Sequence, residues 1–136
     1  MDSYSKDTPD LLRVLLVEDS QVLAERLAET LAPLEGVQLV ASVNDETSAV
    51  GAVAANDVDV IILDLQLRTG TGFGVVQRLG DSRPMIIVFT NYVLPEYERR
   101  ATDLGIEYFL DKSRDFERLP QLLLELEQRK QSGTLQ

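Results

Sequence analysis

Five side chains of this sequence have the chemistry to act together on a phosphoryl group. Glu18 and Asp19 are adjacent in "LLVEDS", Asp64 ends the run "VIILD", Thr90 sits in "IVFTN" and Lys112 in "YFLDKS". Three carboxylates repel one another unless a cation lies among them. Oxygen donors without imidazole or thiolate select a hard ion, and Mg²⁺ accepts one or two carboxylates while keeping several waters. A hydroxyl and an ammonium suit the oxygens of a transferring phosphoryl group. A carboxylate can itself be the nucleophile that receives that group. The chain has no histidine and no cysteine, which excludes an imidazole base, thiolate metal sites and disulfides. Any chemistry here runs on carboxylates, hydroxyls and lysine.

These residues matter only if the fold brings them together, and the apolar pattern says how. Residues 11–17, 37–43, 58–64, 84–90 and 106–110 read as strands, apolar on both faces. Helical stretches lie between them. Ser20 caps the first, with leucines at 23, 27 and 31 and Leu34 after them, and Pro33 and Gly36 end it. Asp45 opens an alanine-rich second helix that stops near Asn56. A short third helix follows Gly72, weakened by Gly74 and stopped near Gly80; the fourth covers 94–104. Leu119, Leu122, Leu123 and Leu126 form the core-facing stripe of the last helix. Pro120 is tolerated at a first helical position, so that helix is expected to start near Leu119, after a separate turn at 115–118.

Strand and helix alternate five times, which demands a parallel sheet covered on both sides. The expected fold is α/β: a doubly wound five-stranded parallel sheet of order 2-1-3-4-5, a flavodoxin-like three-layer sandwich. Residues 11–131 form one domain, preceded by a flexible lead-in (1–10, polar, with Pro9) and followed by a flexible tail (132–136) that should fray. In such a sheet ligands bind beyond the C-terminal strand ends. Glu18 and Asp19 follow strand one, Asp64 ends strand three, Thr90 and Asn91 end strand four, and Lys112 follows strand five. They converge at one rim, which explains why the most apolar strand runs into an aspartate.

The formal net charge of −10 argues against direct binding to nucleic acid or to an anionic membrane. No apolar run reaches transmembrane length and no signal segment opens the chain, so a cytoplasmic location is expected.

With these motifs in place, the sequence resembles the receiver domain of bacterial response regulators over about residues 12–130. "LLVEDS" resembles that family's acidic pair, "IILDLQL" its phosphoacceptor strand, "IVFTN" its switch-hydroxyl strand and "YFLDKS" its lysine loop. Gly72 stands eight residues after Asp64, at the usual loop glycine. The resemblance implies that Asp64 accepts the phosphoryl group and that Asp19 and Glu18 hold Mg²⁺, with Asp64 and the Gln66 carbonyl. It also implies that Lys112 and Thr90 contact the phosphoryl group, and that Thr90 and Phe109 form the switch. Tyr108, adjacent to Phe109, should point the other way. A histidine kinase or histidine phosphotransfer protein would be the donor. Output would go to a downstream protein, or to a second copy, through a face of helix four, strand five and helix five bearing Arg99, Arg100 and Tyr108.

Four departures from the family pattern stand out. Arg68 and Ser113 occupy positions where proline is usual, which leaves the rigidity of the acceptor loop and the aim of Lys112 to other contacts. A cis bond before serine costs about 2.5–4 kcal/mol, which favours a trans Lys112–Ser113 peptide. Asn91 replaces a small residue after the switch threonine and is expected to gate access to the site. The third helix region is short.

Each residue also has a bland reading. The acidic pair could serve a helix dipole, Asp64 an Asx-turn, Thr90 a strand end, Lys112 the surface and Phe109 the core; only their joint placement favours function. Two rival classes share part of this pattern. An aspartyl-phosphate phosphatase of the haloacid-dehalogenase type would want a second aspartate two residues after the nucleophile, where Gln66 stands. A non-phosphorylated flavodoxin-like binding module would want a glycine- or serine-rich anion loop where "VEDSQ" places acids. No turnover of an external substrate is expected. Little sequence follows the fifth helix, so the chain reads as a stand-alone receiver or as a piece of a longer protein.

Overall fold

A computed structural model describes residues 11–135; the expected lead-in at 1–10 lies outside the described residues. The elements run β1 (Leu12–Val17), α1 (Gln21–Leu31), β2 (Val37–Val43), α2 (Glu46–Ala55), β3 (Val60–Leu63), α3 (Gly72–Leu79), β4 (Met85–Thr90), α4 (Pro95–Asp103), β5 (Tyr108–Asp111) and α5 (Arg118–Gln131). The sheet has the order β2-β1-β3-β4-β5, and every pairing is parallel. This is the doubly wound, three-layer architecture that the alternating pattern requires.

Side-chain alternation along each strand divides the core in two. Val14 and Leu16 of β1, Val60 and Ile62 of β3, and Ile87 and Phe89 of β4 face α1 and α5, where Leu27, Leu31, Leu119, Leu123 and Leu126 cover them. Leu15 and Val17, Ile61 and Leu63, and Ile86 and Val88 face α2, α3 and α4, under Ala49, Phe73, Val75, Val76 and Ala101. Tyr108 and Phe109 fall on opposite sides of the sheet accordingly.

The helix starts follow their capping residues. Ser20 Oγ accepts the Leu23 N–H, an Asp45 carboxylate oxygen accepts the Ser48 N–H, and Thr71 Oγ1 accepts the Gly74 N–H.

Four local expectations shift, the first being that β3 runs Val60–Leu63 and not 58–64. β5 begins at Tyr108, not Ile106, because the Glu107 carboxylate accepts the Ile86 N–H at 3.0 Å and so takes the place of a backbone partner on β4. Pro120 occupies the third position of α5, still in the first turn, whose N–H groups have no intrahelical partner. At the other end of α5, described residues 132–135 are tied down where a fraying tail was expected. Gly133 adopts φ 79°, its N–H bonds to Lys130 O and the Thr134 N–H bonds to Arg129 O at 2.9 Å. That is a Schellman closure, and Leu135 packs back against the core.

Candidate functional site

Parallel pairing extends one residue past three strand ends, and this builds the site. The Glu18 N–H bonds to Val43 O, the Asp64 N–H to Val17 O and the Lys112 N–H to Thr90 O, each at 3.0 Å. The register that pairs Val17 with Leu63 therefore sets Glu18 beside Asp64. Lys112 joins them from the far edge of the sheet. Its Nζ lies 2.7 Å from Asp64 Oδ2 and 2.9 Å from Glu18 Oε1.

All three charged groups are withdrawn from water, with side-chain exposures of 10% for Lys112, 6% for Asp64 and 2% for Glu18. Burial pushes the Glu18 carboxyl above its ordinary value, although the Ser20 N–H and Lys112 pull it down. For Lys112 burial acts to lower the pKa, but the hydrogen bonds to Asp64 and Glu18 outweigh it and hold the ammonium above its ordinary value. Both directions describe one deficit: a single ammonium serves two buried carboxylates.

The remaining site residues ring this cluster. Asp19 is exposed at the rim. Thr90 is fully buried, and its Oγ1 accepts the Tyr92 N–H at 3.1 Å, which leaves its own hydroxyl proton to donate. Gln66 is exposed and forms an isolated bridge to Thr71, while its N–H approaches Asp64 Oδ1 at only 3.5 Å. Asn91 is exposed beside Thr90, and Phe109 is half-buried in the layer under α3 and α4. Arg100 is turned away from the expected output face: its guanidinium stands 4.6 Å over the ring of Phe73 in α3. Tyr108 stays on that face, with its hydroxyl near Arg129 of α5.

The pocket's donor set fits a hard dication. Three carboxylates against one ammonium leave two negative charges in excess. No cation among the described residues takes Asp19 or Asp64 Oδ1. Among the described residues no three His, Cys, Asp or Glu side chains form a group that could hold a metal ion by themselves, so an ion here would need water for much of its shell.

Three supports of the site depend on contacts that only the tertiary structure shows. A Cβ on Gly72 would lie 2.3 Å from the Asp64 carbonyl oxygen, so that glycine exists for close approach. Glu46 at the start of α2 bolts down the acceptor loop: its backbone N–H bonds to Thr69 O, and its carboxylate accepts the Thr71 N–H at 3.0 Å. The Arg68 N–H bonds to Asn44 O. These contacts hold the segment where proline is absent. The third support is the turn after β5, where Asp111, Ser113 and Asp115 bond to one another. The alternate spacing in "DKSRD" was its only trace in the sequence. The Lys112–Ser113 peptide is trans, as its cost predicted.

Comparison with known proteins bears on the family and the fold. Residues 14–124 match the family model of the response regulator receiver domain. An uncharacterised response regulatory protein of Yersinia pestis is 32% identical over 117 residues, covering 85% of this chain and 48% of its own length. The chain thus spans about half the length of that relative. The N-terminal domain of an uncharacterised Wolinella succinogenes protein superposes with a TM-score of 0.79 at 25% identity, covering 90% of this chain and 98% of that one. A structure of the response regulator RcsB in complex with DNA has a TM-score of 0.79 at 24% identity, covering 87% and 61%; a protein with this fold can thus occur in a DNA complex, and net charge alone does not exclude nucleic acid. No helix among the described residues is long and apolar enough to cross a membrane. From its motifs, its fold and these matches, the chain belongs to the response regulator receiver domain family.

Proposed function

We propose that this domain accepts a phosphoryl group on Asp64 from a phosphohistidine of a kinase or phosphotransfer protein, and signals by changing its contacts with another protein. The observation that carries the reading is the 2.7 Å contact between Lys112 Nζ and Asp64 Oδ2 in a buried pocket with surplus negative charge. Lys112 pairs with the Asp64 carboxylate, which supplies the nucleophilic oxygen. As the O–P bond forms, the N–P bond to imidazole breaks, and the departing nitrogen takes a proton from water. The Lys112 ammonium and the Thr90 hydroxyl then serve the phosphoryl oxygens. Asp19, Asp64 and the Gln66 carbonyl would hold Mg²⁺, with Glu18 reaching it through water, because both Glu18 oxygens are engaged by Lys112 and Ser20. The ion supplies charge neutralisation at the transferring group.

The experiment is intact-mass analysis after incubation with Mg²⁺ and acetyl phosphate. One adduct is expected in the wild type and none in Asp64→Asn; an undiminished adduct in the variant removes Asp64 from the role. Steady phosphate release from many monoesters would favour the phosphatase reading instead.

Output is assigned to the edge formed by α4, β5 and α5. Thr90 and Phe109 lie on the strands beside it, so differential contact with the phosphoryl group can bias this edge. A groove of about 210 Å³ runs there between Tyr108, Leu110, Arg118, Gln121, Leu122 and Glu125. A downstream protein or a second copy would bind it. The donor and target would meet this domain in the cytoplasm.

A further inference from the structure

Four polar or charged side chains are buried among the described residues: Glu18, Asp64, Thr90 and Asp115. The first three belong to the pocket. Asp115 does not, and a buried carboxylate is costly unless it is satisfied. Its Oδ2 accepts the Asp111 N–H at 2.9 Å, and its Oδ1 accepts from Arg118 Nη1 at 3.1 Å. Its own N–H donates to Asp111 O at 2.7 Å. Asp111 Oδ1 in turn accepts the Ser113 N–H at 2.9 Å and the Ser113 hydroxyl at 2.7 Å. The turn is thus closed on itself from both of its aspartates.

Lys112 is the residue this closure encircles. Its N–H is held by Thr90 O, and the residues on either side of it are fixed by Asp115 and by Asp111. A flexible four-carbon stem delivers its ammonium accurately only from a fixed base. A proline after the lysine would have no N–H for Asp111, so this chain restrains the same point by hydrogen bonds. The Asp111 N–H, the strongest influence on Asp115, keeps that carboxyl below the ordinary range and therefore charged as an acceptor at neutral pH.

We infer that Asp115 is a positioning residue for the phosphoryl-contacting lysine: its buried carboxylate locks the 111–115 turn and so sets the reach of Lys112 Nζ to Asp64. The inference rests on the phosphoacceptor reading and can fail separately from it.

The test compares Asp115→Ala and Asp115→Asn with wild type in Mg²⁺ and acetyl phosphate, with fraction folded and Mg²⁺ affinity measured alongside. The alanine variant should take up phosphoryl at least tenfold more slowly per folded molecule, with Mg²⁺ affinity within twofold of wild type. The asparagine variant keeps an oxygen for the Asp111 N–H and should stay within about threefold of wild type. A second readout needs no donor: the ¹⁵N shift of Lys112 Nζ should move in Asp115→Ala and hold in Asp115→Asn. Should the alanine variant not fold, Asp115→Glu replaces it, because the longer side chain keeps the charge but misplaces the oxygen; the same slowing and shift are expected. An unchanged Nζ shift overturns the inference whether or not phosphoryl is taken up, and so does a wild-type rate in the folded variant. Wild-type protein that takes up no phosphoryl, with the Nζ shift moving as expected, overturns the function and leaves the positioning intact.

Discussion

Removing the Lys112 ammonium tests the charge deficit of the pocket directly. The ammonium lies within 2.9 Å of both Asp64 and Glu18, so the two carboxylate oxygens it binds are less than about 6 Å apart. At an effective dielectric of about 20, two unit charges at that separation repel by about 3 kcal/mol. Breaking a buried pair and stranding its partner typically costs about 3–5 kcal/mol. Lys112→Ala should therefore lower unfolding free energy by about 3 kcal/mol at pH 7 without Mg²⁺, within reach of a domain of ordinary stability. Urea unfolding with a two-state fit measures it.

The pH dependence follows from the directions of the shifts. Glu18 is raised in the folded state, so its unfavourable contribution at neutral pH is relieved as pH falls through its folded value. With the lysine gone this relief grows, and the cost of the variant should shrink on acidification. Lys112 is raised as well, so its stabilisation holds up to its ordinary value and is lost only as pH climbs through the folded one. Adding Glu18→Gln to Lys112→Ala should recover about 2 kcal/mol at pH 7, a coupling that a double-mutant cycle reads. A cost under about 1 kcal/mol that does not change with pH would refute the reasoning.

Four further outcomes are expected. Asp19→Ala should abolish the Mg²⁺-dependent amide shifts around Asp64; a wild-type NMR titration would mean the metal site is elsewhere. Asn91→Ala should speed uptake from acetyl phosphate more than from a phosphohistidine protein, which brings its own aligned group, and equal acceleration by both donors contradicts gating. Gly72→Ala forces a methyl against the Asp64 carbonyl and should cost about 3 kcal/mol by urea unfolding, whereas near-neutrality would show that the acceptor loop yields. Arg99→Glu should weaken association of the phosphorylated domain with its partner or with itself, measured by sedimentation, while uptake at Asp64 stays normal; unaltered association moves output to another surface.

The chain's periodicities determined the fold. Short β-branched apolar runs such as "VIIL", set between helical stretches, read as strands covered on both faces, and β2 and the caps Ser20 and Asp45 fall where the residues put them. The identities of Glu18, Asp64, Thr90 and Lys112 were legible because each follows or ends an apolar run, and a parallel sheet gathers such ends at one rim. What the sequence by itself could not decide depends on contacts between distant segments. The start of β5 hangs on one carboxylate, Glu107, reaching the Ile86 N–H. Arg100 sits over the ring of Phe73 and away from the face expected for output, a contact between α4 and α3 that no local pattern shows. Gly72 carries its meaning only against the Asp64 carbonyl, and Glu46 serves a loop 25 residues away. Local pattern fixes which residues become strand, cap or turn, because backbone preference and side-chain periodicity act over a few residues. Which oxygen meets which N–H or ammonium is settled by packing, and for Lys112 that meeting spans 48 residues to Asp64 and 94 to Glu18.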